Sequence, residues 1–267
     1  METAARLTFE RAGLRTVVRD ALAQSPLRLL TPGNHGSAAW AFTSTLGGGL
    51  VDGDRVRLDV ELGPGARALI GSQGANRVYR SPIGCKSELH ARVADGALLV
   101  LAPDPTACFT GATYEQRTAI DLDAGGSVAL LDVLTAGRSA SGERWAFRRC
   151  STALSLRTGG RVLLDETWLL DPAHGPLLDR LGRFDAIATV LLAGPLLADA
   201  RAASRARIDA APPAHRAALV EVASPIGEGA LLVRVAATSV EACVKAARAH
   251  LACVPGLLGD DPWARRC

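Results

Sequence analysis

The sequence predicts a mainly β fold, a wound, β-helix-like stack of hairpins and strands with a few helices, in a single domain over residues 1–267. Three observations predict it. Residues 55–62, RVRLDVEL, alternate strictly, with Arg55, Arg57, Asp59 and Glu61 on one face and Val56, Leu58, Val60 and Leu62 on the other. Period two over such a run means a half-buried strand. The same strand–turn–strand unit then recurs, with turns beginning near residues 63, 94, 124 and 158. Finally, 27 glycines among 267 residues exceed the usual share of about 7%, as a chain of many turns requires.

The elements follow in order. The N-terminal METAARLTFERAGLR is charged throughout and has no apolar core, so it is not read as a secretory signal. LGGGLVDGD, residues 46–54, raises the question of phosphate binding. A P-loop ends in Gly-Lys-Ser/Thr, and no lysine lies nearby. A dinucleotide fingerprint needs a helix after the glycines, and here a strand follows. The glycines are therefore expected to make a tight turn or a close backbone approach. RVRLDVEL turns at GPGA and returns as RALIGSQ. ELHARV turns at ADGA into LLVLAP, TAIDLD at AGGS into VALLDVL, and STALSLR at TGGR into VLLDETWLL. Each unit reads as a hairpin.

The last third changes character. AIATVLLAGPLLADA is too short for a membrane span, which takes about 20 residues. The Ala- and Arg-rich stretch that follows, broken by Pro212-Pro213, suggests short helical or irregular pieces, and GALLVRVAAT another strand. The clearest helix lies at about 238–254, with Thr238 and Glu241 at capping-box spacing and Pro255-Gly256 as its stop.

Charge is nearly balanced, 30 basic against 27 acidic residues, and gives no concentrated basic face for nucleic acid. A cytoplasmic chain is expected, with its six cysteines reduced and several buried. Asp132 and Glu166 stand inside otherwise apolar strands, where a carboxylate is costly unless paired, hydrated or bound to a cation. Asp54 is set at a strand start by the glycine turn. His250 and Cys253, three apart at the end of the last helix, have a spacing that can chelate one metal, although small residues on a core face explain it as well. His90 reads as a surface residue.

Several motifs, in order, resemble the urease accessory protein UreD (UreH) family. They are Gly48-Gly49-Leu50-Val51-Asp52-Gly53-Asp54, Pro64-Gly65-Ala66 and Val78-Tyr79-Arg80-Ser81, then APDPTACFTGA with Gly111, and GRSASGERW with Gly137, Arg138, Gly142 and Glu143. DPWARRC closes the chain in a similar way. Asp52, Asn76, Leu101-Ala102 and Asp104 depart from the family pattern.

The resemblance implies a non-enzymatic maturation factor that docks on apo-urease with UreF and the GTPase UreG and assists nickel delivery. No cofactor is then tightly bound, and nickel is at most in transit. It also implies an internal polar channel, for which Asp54, Asp132 and Glu166 are the candidate nickel-path residues. Two alternatives remain open. One is a β-solenoid-like enzyme using these carboxylates, which the scarcity of aromatic platforms disfavours. The other is a plain β-rich interaction module.

Overall fold

The structure, a computed structural model, describes residues 2–264. The chain opens with β1 (Glu2–Ala12), β2 (Arg15–Leu22), β3 (Leu27–Leu30) and β4 (Ala39–Thr45). β5 (Arg55–Leu62) and β6 (Arg67–Ser72) flank the GPGA turn, and β7 (Asn76–Val78) follows. Next come β8 (Cys85–Val93), β9 (Leu98–Leu101), β10 (Thr106–Cys108), β11 (Thr113–Leu122) and β12 (Ser127–Thr135). β13 (Arg149–Thr158) and β14 (Arg161–Leu170) precede α1 (Leu177–Leu181), β15 (Ala186–Ala193) and α2 (Ala198–Asp209). The chain continues through β16 (Leu219–Ile226), β17 (Ala230–Ala237), α3 (Val240–Ala249) and α4 (Val254–Leu258).

The mainly β class holds, with few helices. The expected β-helix-like stack of hairpins does not describe the sheets, which are two and mixed. The first has the order β14-β13-β11-β8-β5-β1-β2, and the second runs β16-β17-β15-β12-β9-β6-β4-β3 with β10 and β7 alongside. In the first, β1, β5, β8, β11 and β13 are parallel, and only β2 and β14 run antiparallel at the edges. In the second, β4, β6, β9 and β12 are parallel, while β3, β15, β17 and β16 pair antiparallel.

Three of the four expected hairpins are thereby corrected. β5 and β6, β8 and β9, and β11 and β12 do not pair with each other. Each four-residue turn carries the chain from one sheet to the other, so the recurring unit places like strands side by side in parallel. Only STALSLR and VLLDETWLL, β13 and β14, form the expected hairpin.

Alternation along each strand decides the layers. Val56, Leu58, Val60 and Leu62 of β5 meet Ala68 and Ile70 of β6 and Leu99 and Leu101 of β9 in the core between the sheets. The other face of the second sheet, with Leu69, Leu98, Val100, Leu131 and Val133, packs under α3 and α4 through Cys243, Ala247, Leu251, Val254 and Leu258. The outer face of the first sheet keeps the polar residues. There Arg57 stands opposite Glu88, which stands opposite Arg117, while Glu61, Arg92, Asp121 and Arg157 alternate in sign across four strands. Opposite charges facing each other across strands each contribute about 0.2–1 kcal/mol and pin the register.

The helix at the C-terminus is shorter than expected. Its N-cap is Ser239, whose side chain accepts from Ala242 N, and not Thr238. Pro255 and Gly256 do not stop it. α3 ends at Ala249, and Pro255 enters the first turn of α4, a position where its missing N–H costs nothing.

Candidate functional site

The motif residues spread over nearly a hundred positions meet at one end of the sandwich. Leu50 N donates to Arg77 O and Tyr79 N to Leu50 O, so the glycine turn lies against the strand that follows β7. Gly49 is required by this approach, since a Cβ there would come within 2.5 Å of Arg77 O and 2.7 Å of the Tyr79 ring. LGGGLVDGD thus packs backbone on backbone and cradles no phosphate. Gly48 and Gly53 take positive φ in the same turn, and Asp54 closes it by accepting from Val51 N at 2.8 Å. One coil further on, Tyr79 meets Phe109 edge to face, and the Arg80 side chain lies over Gly111. Arg138 then stacks on Phe109 at 4.8 Å and pairs with Glu143, which also takes Thr110 N. Gly137 sits against Cys108 O and Glu143 O, and Gly142 ends the short helical turn 139–141 in the left-handed conformation.

Between the sheets runs a seam of polar side chains, bordered by two cavities of about 260 Å³ and about 40 Å³. The larger begins at Gly48, Leu50, Gly74 and Arg77, so the motif end forms its mouth. Inside it Asn76 donates to the Tyr114 hydroxyl, and Tyr114 donates to Gln116 Oε1. Gln116 Nε2 donates in turn to Asp132 Oδ2 at 2.7 Å, and both residues line both cavities. This pair is therefore the neck between them. The smaller cavity reaches Thr152, Glu166, Trp168 and Thr189. Glu166 pairs with Arg234, which also bonds Thr189 and lies over the Trp168 ring at 4.6 Å.

The seam's chemistry is unusual for a protein interior. Burial pushes the Asp132 carboxyl up, against the opposing pull of Gln116 and Arg234. Burial also drives the Tyr114 phenol far above its ordinary range, with the nearby Cys108 thiol adding to the shift. The seam thus carries one carboxyl inclined toward neutrality and one held by a guanidinium. Its oxygen donors are carboxylates, amides and hydroxyls.

Of the three carboxylates expected on one path, the structure brings Asp132 and Glu166 to this seam. Asp54 lies elsewhere, in the glycine turn. His250 ends α3 with Nε2 2.9 Å from Glu221, and burial holds its ring below the ordinary imidazole range. Its Nδ1 has no partner among the described residues. Cys253, three residues on, is half-buried at the start of α4. Among the described residues, no group of three or more His, Cys, Asp and Glu is placed to hold a metal ion. No helix among them is long and apolar enough to cross a membrane.

A family model described as UreD urease accessory protein matches residues 1–267. The chain belongs to the UreD urease accessory protein family. The urease accessory protein UreD of Sorangium cellulosum is 49% identical over 97% of this chain and 83% of its own length. That of Anaeromyxobacter sp. is 40% identical over 98% and 89% respectively. The urease accessory protein D of Arabidopsis thaliana is 28% identical over 97% of this chain and 99% of its own.

The departures from the UreD pattern have local structural roles. Asp52 accepts from Ile83 N and Gly84 N, tying the glycine turn to the next loop. Asp104 accepts from Gly74 N at the rim of the larger cavity. Asn76 lies on the cavity wall. Sequence reasoning missed Gln116, Tyr114, Thr189, Trp168 and Arg234. Arg234 had a visible signal, a lone charge inside the apolar run ALLVRVAA. Gln116 had none, because a neutral polar residue in an alternating strand is ordinary.

Proposed function

We propose that this chain is a non-enzymatic factor of urease maturation. It docks on apo-urease together with homologues of UreF and UreG, in the cytoplasm, and lets nickel pass along the seam between its sheets. The observation that carries this reading is the convergence of Asp132 and Glu166 on one polar seam through an otherwise apolar core. A hydrated borderline divalent cation moves through protein by exchanging weak oxygen ligands, and carboxylates, amides and hydroxyls supply such ligands without trapping it. Nickel here is cargo, not a resident cofactor. The two cavities, which share Gln116 and Asp132 in their linings, give that passage its route.

The motif end fits a docking role. Its motif residues largely make loop-to-loop contacts that fix a surface, with Val51 and Ile83 held outward. Asp54 belongs to that surface and is not assigned to the path.

The test is the double variant Asp132→Asn/Glu166→Gln, co-expressed with urease and the other accessory proteins. Urease activity and nickel content should drop several-fold while the accessory complex is still captured. Wild-type activation would sink the path, and loss of capture together with activation would make the two residues structural.

A further inference from the structure

Arg234 is the seam residue whose chemistry the cation-path reading leaves unused. It sits on β17 in register with Thr189 of β15 and Asp132 of β12, a row that crosses the inner face of the second sheet. Adjacent strands lie about 4.8 Å apart, so the side chain must extend to reach its partners. It bonds Thr189, crosses the gap to Glu166 on the first sheet, and stacks on Trp168. All three partners line the smaller cavity. The side chains of Arg234 and Glu166 are 21% and 24% exposed. The guanidinium thus has water within reach.

We propose that Arg234 is a tethered counter-cation that closes this end of the seam, occupying Glu166 and facing Asp132 until an incoming divalent cation displaces it. The proposal rests on the cation-path reading and adds a specificity-determining residue to it. A guanidinium does not lose its proton at any working pH. Its charge can leave the seam only by movement of the side chain, and the partly exposed position gives it water to move into. While it stays, the two carboxylates face an internal positive charge and bind external cations weakly. A monovalent intruder gains too little from one carboxylate to displace it. A divalent ion that recruits both does so more readily, which makes the residue a filter as well as a plug.

The experiment is equilibrium dialysis of the purified full chain against Ni2+ alone. The wild type should bind weakly. Arg234→Gln keeps a hydrogen-bond donor for Thr189, removes the charge, and should tighten binding about tenfold or more, because an opposite charge within about 4–6 Å shifts a carboxylate equilibrium by one to three powers of ten. Arg234→Lys should stay near wild type, and adding Glu166→Gln to Arg234→Gln should abolish the gain. Unchanged or weaker binding by a folded Arg234→Gln chain overturns the proposal. So does an Arg234→Lys chain that behaves like Arg234→Gln, since shape and not charge would then be responsible. Should Arg234→Gln fail to fold, Trp168→Leu loosens the stack and leaves every charge in place. It should tighten binding in the same direction by less, and no change there is equally fatal. The path itself is judged separately, by activation with Asp132→Asn/Glu166→Gln. Wild-type activation there defeats the path and leaves the dialysis result standing, whereas lost activation without tighter Ni2+ binding in Arg234→Gln defeats the plug alone.

Discussion

Asp132 sits where burial disfavours its charge. Burial raises its carboxyl above the ordinary range more than Gln116 and Arg234 lower it. A raised carboxyl contributes stability that is present at acidic pH and lost as pH climbs through the folded-state value. Asp132→Asn, which can still accept from Gln116, should therefore melt at the same temperature as wild type below about pH 3.9, the ordinary aspartate value, and at a higher one at pH 8. A melting temperature lowered at pH 8 would mean that the charge stabilises the fold. Asp132→Leu strands the Gln116 amide and should cost about 1–3 kcal/mol. His250 shows the opposite sign. Its imidazole is held down by burial, with Glu221 pulling it back up. That contribution is present above about pH 6.5, the ordinary imidazole value, and is lost on acidification. Denaturant midpoints between pH 7 and pH 5 should fall more for wild type than for His250→Gln, whose amide can still donate to Glu221. Parallel curves for the two chains would assign the acid sensitivity to another group.

At the scale of elements, local chemistry was legible and pairing was not. Alternation in RVRLDVEL shows which face of β5 is buried, but any apolar strand could lie alongside. GPGA can close a hairpin or join two sheets, and the choice is made by partners some thirty residues away. The N-terminal strand is the sharpest case, because METAARLTFERA carries no sign that β1 will insert between β5 and β2. The helix start was legible to within one residue, since Thr238 and Ser239 are both good caps and only geometry chooses between them. Ser239→Ala should cost about 1 kcal/mol and Thr238→Ala far less, by denaturant unfolding. Equal losses would show that neighbouring contacts, not the cap, set the effect. Glycine turns divide in the same way. Gly49→Ala drives a Cβ into backbone and ring and should be among the costliest changes in the motif. Gly53 has open space around it, so Gly53→Ala meets only the strain of positive φ, about 1–2 kcal/mol.

For the whole molecule, the seam and the motif end arise from one device, a chain that passes repeatedly from one sheet to the other between β4 and β13. The change of sheet stacks equivalent loops at one end, which is why Tyr79, Phe109 and Arg138, about thirty residues apart, touch in sequence. Between the sheets it leaves the two cavities lined by inward polar residues. Asp132 and Glu166 were visible as oddities in apolar strands, but their meeting needed β12 and β14 to face each other from different sheets, which no local pattern encodes. The surface carries its own consequence. Net charge is only +3, mean hydropathy is +0.17, and at the motif end Ile83 is 82% and Val51 54% exposed. They sit on adjoining loops, joined by the bonds from Ile83 N and Gly84 N to Asp52. Exposed apolar side chains held by a braced backbone favour association. The isolated chain should self-associate reversibly as its concentration rises in sedimentation experiments. Val51→Asp/Ile83→Asp should shift that association to higher concentration while changing unfolding stability by no more than about 0.5 kcal/mol, as surface substitutions do. Unchanged association would move the sticky surface to another part of the molecule, with the β1–β2 turn next in line, where Leu14 is 86% exposed.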